Sequence, residues 1–510
     1  MTIAAGHIPP TPATPAMTER EVALAMIALT ASLFVAHLSN LIVLTAMPRI
    51  TADLHATQAH YTWIITASML TLAVSTPIWG RISDALNKKL LMQVCVAAYV
   101  SFSFVASLAP SPWVIIACRV GIGICAAGII VLMQTISAAI MSSRARARWI
   151  GYRAAAMSVA TVGAPSIGGF VTEHLGWRAC FLIGIPFAII SILLLRRNLH
   201  LPPRVAAGRI KVDWIGAILL AAGVIALLLW ISVTGPNRGF FSPIGGGLLV
   251  LAIALLAVMT LVELRVALPI LPLDLFRSRD ITLCVIASAC AGVGFFGSAV
   301  FLAPYLQIGR GLSPSEAGLM ALPEAGGSLV ASLLTARIIS RHGRYKPTLI
   351  VGAAILLGGF VLLATIGQTT SFLLVAVYVA LVGAGLGVTG ETLTIVVQNA
   401  AKIGIVGAAG ALVGFFRVLG GIAGVAVLGL ILTTSVQADI TATGVTGFDP
   451  SRIPMLPALQ PALRTAVEAA YAQGAAIVYL CCIPVALVML VAMTMLSAGS
   501  LSDENPLSAR

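Results

Sequence analysis

The chain has 510 residues, of which 59% are hydrophobic and only 9% are charged, and its mean hydropathy is +1.05. Soluble domains carry roughly 25% charged residues, so this composition excludes a soluble globular protein and indicates helices that cross a bilayer. The formal net charge of +13 would suggest nucleic-acid binding in a soluble protein, whereas in a membrane protein its meaning depends on where the charges lie along the chain.

Fourteen apolar segments follow one another along the chain. A helix needs about 20 apolar residues to cross a hydrocarbon core of about 30 Å. The predicted spans are 23–46, 61–80, 90–109, 113–138, 150–173, 177–195, 213–233, 243–264, 281–306, 314–338, 347–367, 371–398, 404–433 and 471–496. We therefore expect an all-α membrane protein with fourteen transmembrane helices.

The positive charge alternates between connections. If the N-terminus is cytoplasmic, the inner loops and tails hold 22 of the 30 Lys and Arg residues and the outer loops hold six, while Arg119 and Arg417 lie within spans. Basic residues collect in cytoplasmic loops, so the net charge is an orientation signal and nucleic acid is not expected as a partner. The even number of spans predicts a multi-pass protein of the cell (inner or plasma) membrane with both termini in the cytoplasm.

Two short basic loops occupy equivalent places in the chain. "GRISDALNKK" (80–89) follows the second span, and "ARIISRHGRYK" (336–346) follows the tenth. Two six-helix halves separated by two inserted helices explain this spacing, and internal repeats of this kind are typical of secondary transporters. The predicted divisions are a cytoplasmic tail at 1–20, a first bundle at 21–198, the inserted helices at 199–278, a second bundle at 279–498 with an outer loop at 434–470, and a cytoplasmic tail at 499–510.

Both loops resemble the signature loop of the major facilitator superfamily, Gly-x-x-x-Asp-Arg-x-Gly-Arg-Arg. The first copy matches at Gly80, Asp84, Lys88 and Lys89, and the second matches at Arg341, Gly343 and Arg344. The resemblance implies a conformational latch, because an Asp at a helix end can pair with a basic residue and accept backbone N–H groups. The alternative is a plain basic cytoplasmic loop.

Two further elements resemble the fourteen-helix drug:H+ antiporter family. Arg119 and Gly123 match the Arg-x-x-x-Gly element of proton-coupled members, so the resemblance associates Arg119 with proton transfer; the alternative is an arginine that reaches the outer surface. "GAPSIGGF" resembles the Gly-Pro-x-x-Gly-Gly element of the fifth helix, and it implies helix bending or gating, with generic glycine-rich packing as the alternative. Its matching residues are Gly163, Pro165, Gly168 and Gly169.

Proton antiport needs a group that titrates inside the membrane. Glu324 lies ten residues into the tenth span, roughly 15 Å deep and near the midplane, which makes it a candidate proton site or a contact for a cationic substrate. The alternative for Glu324 is a permanently protonated packing residue. His37 in the first span can titrate near neutrality, although a neutral, hydrogen-bonded histidine is the competing interpretation. The family often carries an Asp in this span where the chain has Ser39, so proton coupling would rely on other residues.

The remaining candidates are polar or aromatic residues within spans. Glu391 falls near the inner end of the twelfth span, where a gate or latch role competes with a purely structural one. The candidates for the substrate cavity are Ser39, Asn40, Gln134, Phe301, Tyr305 and Gln398.

We expect a secondary transporter that exports drug-like or lipophilic compounds in exchange for protons by alternating access. Its expected partners are small lipophilic or cationic substrates, protons and membrane lipids, and the family resemblance implies a monomer. No Gly-x-x-x-x-Gly-Lys-[Ser/Thr] loop occurs in the sequence, so ATP is not expected as the driver, and neither an enzymatic site nor a cofactor nor a metal is predicted. Two alternatives stay open. One is a transporter of the same fold for a single dedicated substrate, with or without proton coupling, and the other is a membrane receptor that binds its ligand without moving it.

Overall fold

The computed structural model describes residues 17–55, 58–201, 213–233, 242–266, 269, 273–312, 314–401, 405–442 and 461–499. These residues form sixteen α-helices, a 3-10 turn at Leu273–Arg277 and a π-helical turn at Tyr305–Gly309. The helices are α1 Glu19–Asp53, α2 Gln58–Ala85, α3 Lys88–Ser107, α4 Pro112–Ile140, α5 Ser143–His174, α6 Trp177–Cys180, α7 Gly184–Asn198, α8 Trp214–Val233, α9 Pro243–Glu263, α10 Arg279–Pro304, α11 Pro314–Leu319, α12 Leu322–His342, α13 Lys346–Leu363, α14 Phe372–Ala400, α15 Val406–Ala442 and α16 Pro461–Thr494.

The predicted helical architecture is confirmed, and every predicted apolar segment overlaps one or two of these helices. Within the described residues, eleven helical segments are long and apolar enough to cross a membrane. Helices α2, α5 and α8 do not meet this criterion. The apolar part of α8 is short, and the first three turns of α5 carry four arginines, Arg144, Arg146, Arg148 and Arg153. A count of fourteen membrane crossings therefore stays a prediction.

The predicted outer loop at 434–470 is shorter than expected. Helix α15 continues to Ala442 and α16 begins at Pro461, while 443–460 lie outside the described residues. The prediction ends each helix where its apolar residues end. Helix α15 continues beyond that point, through polar residues such as Gln437 and Asp439, because the backbone i→i−4 hydrogen bonds do not require apolar side chains.

Local sequence signals set several helix boundaries. The side chain of Asn87 accepts hydrogen bonds from the backbone N–H groups of Lys89 and Leu90 and so caps the start of α3. Ser142 caps α5 in the same way. Gly343 ends α12 in the left-handed region, at φ 70°, which favours glycine at a helix C-terminus.

The helices pack in three groups. Helices α1–α7 pack on one another, as do α10–α16, and α8 packs on α9 and touches α2 and α15. Buried apolar residues form two cores inside the first group, and a third core, centred on the second group, extends into α8, α9 and the α2 and α5 faces at Val74, Ala147 and Ile150. We call α1–α7 the N-half and α10–α16 the C-half; their limits follow the predicted divisions, whose independence as domains stays a prediction.

The two halves meet along a seam in which α5 packs on α12 and α14, and α2 and α4 pack on α15. One end of this seam carries the α2–α3, α4–α5 and α12–α13 connections, which contain both signature loops. We call this end of the bundle the basic end. The following sites lie along the seam or inside the two halves beside it.

Candidate functional site

Asp84 joins the two halves at the basic end. Its carboxylate, with only 8% of the residue exposed, accepts hydrogen bonds from the backbone N–H groups of Gly407 and Ala408, each at 2.9 Å. These N–H groups lie in the first turn of α15, where the helix has no internal acceptors for them. A negative charge here also interacts favourably with the helix dipole. The N-half thus supplies the cap of a C-half helix.

Gly80 lets α2 and α15 approach closely enough for this cap. A Cβ atom on Gly80 would lie 2.5 Å from the Cβ of Ala411 and 3.0 Å from the carbonyl oxygen of Gly407. Real Cβ contacts are longer than the first of these distances, so a larger residue would push the helices apart. The first signature loop therefore contributes both a charge and a close backbone contact.

The basic residues of the first loop have a different role. The Lys89 ammonium donates to the carbonyl oxygens of Arg196 at 2.9 Å and Leu199 at 2.6 Å, at the end of α7. A lysine at a helix C-terminus satisfies its last carbonyls. Lys89 therefore stabilises the N-half internally, and Lys88 lies beside it at the start of α3.

The second signature loop is held from the other half by Arg144. The Arg144 guanidinium donates to the carbonyl oxygen of Ser340 at 2.8 Å and to that of Arg341 at 2.7 Å, in the last turn of α12. The side chains of Arg341 and Arg344 are exposed. Each signature loop thus marks a place where an N-half side chain meets the main chain of a C-half helix end.

Helices α5 and α14 form a two-rung polar ladder across the seam. Arg146 Nη1 donates to Gln398 Oε1 at 2.5 Å, and the guanidinium of Arg153 forms an ion pair with Glu391. The two partners on each helix are seven residues apart, which places them on one face two turns apart, about 10 Å along the axis. Because the helices run in opposite directions, both rungs form together.

A small pocket with room for about one water molecule lies at this ladder. Helix α5 lines it with Arg146, Trp149, Ile150 and Arg153, and α14 lines it with residues at the same i, i+3, i+4, i+7 spacing from Glu391 to Gln398. The predicted cavity residue Gln134 of α4 also lines it. The structure thus brings together three residues that sequence reasoning named separately: Gln134, Glu391 and Gln398.

Arg417 adds another cation beside Glu391. Its guanidinium donates to the carbonyl oxygen of Gly390 and, at 3.4 Å, to the hydroxyl of Ser288. Arg417 projects from α15 toward α14 within the C-half. The carboxylate of Glu391 therefore lies near two arginines, one from each half.

Arg119 lies inside the N-half and does not reach the surface. Only 3% of it is exposed, its Nε donates to the carbonyl oxygen of Ile64 at 2.9 Å, and its Nη1 donates to Asn40 Oδ1 at 2.7 Å. The expected alternative, an arginine reaching the outer surface, does not describe this geometry. A buried arginine satisfied by neutral oxygens stays available to a negative group, and its role in proton transfer stays a prediction.

His37 and Ser39 lie on the same stretch of α1 as Asn40. The His37 ring is 3.2 Å from the hydroxyl of Thr161 on α5, which fits the expected hydrogen-bonded histidine. Ser39 is buried where α7 comes close, since a Cβ on Gly184 would lie 2.7 Å from its hydroxyl oxygen. Ser39 therefore packs between helices of the N-half in this conformation.

Glu324 lies in the first turn of α12, within the C-half. Its carboxylate accepts a hydrogen bond of 2.8 Å from the hydroxyl of Ser298 on α10. The next residue, Ala325, accepts a 3.4 Å hydrogen bond through its carbonyl oxygen from Ser158 of α5. Glu324 is thus adjacent to the seam, and its role as a proton site stays a prediction.

Phe301 and Tyr305 are buried in the C-half, with 4% and 0% exposed. The Tyr305 hydroxyl donates to the carbonyl oxygen of Gly367 at 2.9 Å and accepts a 3.0 Å hydrogen bond from Arg310. In this conformation both side chains contribute to the packing of the C-half, and their contact with a substrate stays a prediction.

The glycine-rich stretch of α5 is one continuous helix through Gly163, Pro165, Gly168 and Gly169. A Cβ on Gly169 would meet nothing within 4 Å, and one on Gly163 would have a single contact at 3.4 Å. Close packing therefore does not explain these two glycines in this conformation. The tight contact of α5 occurs two turns or more earlier, at Gly151, where a Cβ would lie 2.7 Å from a methyl carbon of Leu333.

At the opposite end of the N-half, Asp53 joins the end of α1 to the start of α6. The indole N–H of Trp177 donates to its carboxylate at 2.8 Å, and Arg178 donates at 3.2 Å. These hydrogen bonds lower the pKa of Asp53 below its usual value. This arrangement belongs to the N-half alone and fixes the entry into α6 and α7.

Sequence reasoning missed Arg144, Arg146 and Arg153, which were counted only as basic loop residues. The detectable signal is the spacing: Arg146 and Arg153 are seven residues apart, with Trp149 and Ile150 between them on the same helical face. Among the described residues, no group of three or more His, Cys, Asp or Glu side chains lies together as metal ligands would. The site is a polar seam between two helix bundles.

Relatives share most of this chain. An uncharacterized MFS-type transporter of Mycobacterium tuberculosis is 29% identical over 93% of this chain and 69% of its own length. The multidrug transporter protein MdtP of Bacillus subtilis is 29% identical over 79% of this chain and 73% of its own. The tetracenomycin C resistance and export protein of Streptomyces glaucescens is 28% identical, covering 81% and 76%.

The fold is also similar to that of solved transporter structures. The solved structure of the proton:xylose symporter XylE of the major facilitator superfamily aligns with a TM-score of 0.62, at 12% identity, over 96% of this chain and 99% of that one. The family model described as Major Facilitator Superfamily matches residues 29–425. With its two helix bundles and paired signature loops, the chain belongs to the major facilitator superfamily.

Proposed function

We propose that the chain is a secondary active exporter that moves drug-like or lipophilic compounds out of the cytoplasm in exchange for protons. It crosses the cell membrane fourteen times in this proposal, and its basic end and both termini face the cytoplasm because basic residues favour that side. The N-half and C-half rock against each other, with α8 and α9 as an insertion. The name of the Streptomyces relative supports export as the direction, and that of the Bacillus relative supports drugs as the cargo.

The observation that carries this proposal is the seam at the basic end. Asp84, Arg144 and the two rungs of the α5–α14 ladder all join the halves there. Each contact is polar, so water can replace it when the halves separate, at a net cost of about 1 kcal/mol for an ordinary hydrogen bond and more for a charged one. Such contacts suit a gate that opens and closes, which a receptor without transport would not need.

Proton coupling is assigned to Glu324 in this proposal. Its position beside the seam lets the carboxyl group meet a different environment in each conformation, and its hydrogen bond with Ser298 provides a partner when the cavity is dry. Arg119 and His37 are the secondary candidates in the N-half. Small lipophilic or cationic compounds are the proposed cargo, and the proposed working unit is a monomer.

The test is transport by the full chain reconstituted in liposomes. A pH gradient is imposed so that the side opposite the cytoplasmic face of the protein is the more acidic. This gradient should drive a fluorescent lipophilic cation to that side, against the concentration gradient of the dye. Glu324→Gln should abolish gradient-driven uptake while leaving the protein folded. Glu173→Gln, an exposed carboxylate at the far end of α5, is the matched control and should transport normally.

The outcomes separate the parts of the proposal. If Glu324→Gln transports as well as the native protein, Glu324 is a packing residue and the test passes to His37 and Arg119. If the native protein moves no dye in any gradient, broad drug export fails.

A transporter for one dedicated substrate is the second candidate. The Streptomyces glaucescens relative is named for a single compound, tetracenomycin C, and Ser39 stands where the antiporter family often has an acid. Competition among unrelated compounds distinguishes the two candidates: mutual inhibition supports a broad cargo range, and transport of one class without any pH effect supports the dedicated role.

A further inference from the structure

Glu391 lies between two arginines that belong to different halves. Its carboxylate forms an ion pair with Arg153 of α5, which is an N-half helix. Arg417 of α15, in the C-half, donates to the carbonyl oxygen of Gly390, the residue directly before Glu391 on α14. One acid of the seam therefore has one cation fixed to its own half and one fixed to the other half.

Arg417 has donors to spare for a carboxylate. A guanidinium carries five N–H donors, and the acceptors described for Arg417 are two neutral oxygens, the carbonyl of Gly390 and the hydroxyl of Ser288. The contact with Ser288, at 3.4 Å, is long for a hydrogen bond. A cation within a span needs a partner or water, and a carboxylate is the strongest hydrogen-bond partner of a guanidinium.

The Arg417 guanidinium lies close to the carboxylate that could supply this partner. A Cβ built on Gly390 would lie 3.9 Å from Arg417 Nη1, so the guanidinium rests against α14 one residue before the acid. Among the charged groups around it, Glu391 attracts Arg417 and Arg153 repels it. The side chains of Glu391 and Arg417 are both long and rotate about several bonds, so changes of rotamer can join them without a shift of the backbone.

The two arginines have opposite effects on the seam. In the closed arrangement the pair of Arg153 and Glu391 joins the halves, whereas the like charges of Arg153 and Arg417 repel each other across the same acid. Separation of α5 from α14 takes Arg153 away and leaves Glu391 with Arg417 on its own half. Arg153 therefore stabilises the closed seam, and Arg417 stabilises the separated one.

We propose that Arg417 is a positioning residue of the transport cycle: it takes over the Glu391 carboxylate when the basic end opens, so that this acid exchanges one arginine for the other. The exchange lowers the cost of breaking the Arg153 rung, because a half-buried charge left without a counter-ion is strongly unfavourable. The inference rests on the rocking of the two halves in the proposed function, and it is independent of proton coupling and of the compound carried.

The test measures the closed-to-open ratio of the seam. Spin labels carried by non-natural amino acids at positions 148 and 344, which are exposed and lie in different halves, give a distance distribution for the full chain in nanodiscs. Asp84→Asn is the parent in every measurement, because it weakens a contact of the closed seam and so allows both populations to be counted.

Neutral variants at the two arginines should shift this ratio in opposite directions. Arg153→Gln should lower it at least about threefold and Arg417→Gln should raise it at least about threefold, the size expected for a partly exposed ion pair. Arg417→Lys should restore the ratio of the parent, because it keeps the charge, although it cannot hold Gly390 and Ser288 together as the planar guanidinium does. Arg279→Gln, at an exposed position at the start of α10, is the matched control and should leave the ratio unchanged.

Dependence on Glu391 separates the exchange from a structural role of Arg417. In a Glu391→Gln background, Arg417→Gln should produce a much smaller shift, because only the repulsion between the two arginines remains. Arg417→Met, a second neutral variant, takes its place if thermal unfolding shows that Arg417→Gln does not fold.

The outcomes that contradict the inference differ from those that contradict the proposed function. The exchange is overturned if loss of the Arg417 charge lowers the closed-to-open ratio or leaves it unchanged, or if the ratio rises equally when Glu391 is absent. A single distance in the parent and in every variant would overturn the rocking of the halves itself, and with it the alternating access that the exchange serves.

Discussion

Replacing Asp84 by Asn should open the basic end of the seam. The native carboxylate accepts one hydrogen bond from each of two backbone N–H groups at the start of α15, both at 2.9 Å. Asn keeps one acceptor oxygen and presents an NH₂ group in place of the other. It therefore loses the charge, loses one bond, and places a donor against a backbone donor.

The magnitude follows from these contacts. A hydrogen bond to a charged group contributes about 1.5–3 kcal/mol and a neutral one about 1 kcal/mol, and the charge–dipole interaction adds about 0.3–1 kcal/mol. We take the loss in Asp84→Asn as about 2–3 kcal/mol of the free energy that favours the closed seam. Since about 1.4 kcal/mol is a tenfold change in an equilibrium constant, the closed-to-open ratio should fall roughly 30- to 140-fold.

The assay is a distance distribution across the basic end. Spin labels carried by non-natural amino acids at positions 148 and 344, which are exposed and lie in different halves, report short distances when the seam is closed and longer ones when it opens. Asp274→Asn is the control, because this acid is exposed and pairs with Arg277 on its own turn. A change of less than about threefold in Asp84→Asn, or an equal change in Asp274→Asn, would refute the assignment of this carboxylate as a principal contact of the closed state.

Three further perturbations follow from the described contacts. Arg153→Glu should reduce transport sharply, because it places two carboxylates at one rung, and adding Glu391→Arg should restore much of the loss, as an initial-rate measurement would show. Gly80→Val should favour the open basic end in the same distance assay, since its Cβ has no room beside α15, whereas Gly169→Val should have little effect on the closed state. The stability contributed by Asp53 should be present above its usual pKa and lost as the pH falls through the lowered pKa, and thermal unfolding of Asp53→Asn should not show this acid-dependent component.

Each of these has an opposing result. A double charge swap that stays as inactive as the single variant would mean that residues 153 and 391 act with other partners. Equal behaviour of the two glycine variants would contradict close contact as the reason for glycine at position 80. An unchanged acid dependence without the carboxylate at position 53 would assign it to other groups.

The helices are predictable from the sequence because apolar length and basic connections are local properties. That the Asp84 carboxylate accepts hydrogen bonds at a helix end is also predictable, since its loop resembles a known one and a buried carboxylate requires donors. Its partners are not, because they are backbone N–H groups more than 300 residues away, and main-chain atoms leave no residue-type signal. The pairing of Arg153 with Glu391 depends on which faces α5 and α14 present to each other, and only the packed bundle determines that.

Other expectations depend on the conformation. Tyr305 and Phe301 are aromatic residues within a span, which suits a cavity wall and a packed core equally well, and burial in the C-half distinguishes the two for this state only. Gly169 has open space around it here, so a reason for glycine at that position would have to come from another arrangement of the bundles.

Two of the contacts that close the seam end on main-chain atoms, and this has a consequence for divergence among relatives. Asp84 meets the amides of Gly407 and Ala408, and Arg144 meets the carbonyls of Ser340 and Arg341. Every residue type supplies a carbonyl, and every type except proline supplies an amide. The C-half positions 340 and 341 can therefore drift in residue identity without loss of the Arg144 contact. Positions 407 and 408 are constrained by packing instead, because a Cβ on Gly407 would lie 2.6 Å from the Asp84 carboxylate and Ala408 is 2% exposed. The N-half cannot drift in this way, because its contribution resides in two particular side chains. Saturation mutagenesis should accordingly show narrow tolerance at positions 84 and 144 and broad tolerance at positions 340 and 341.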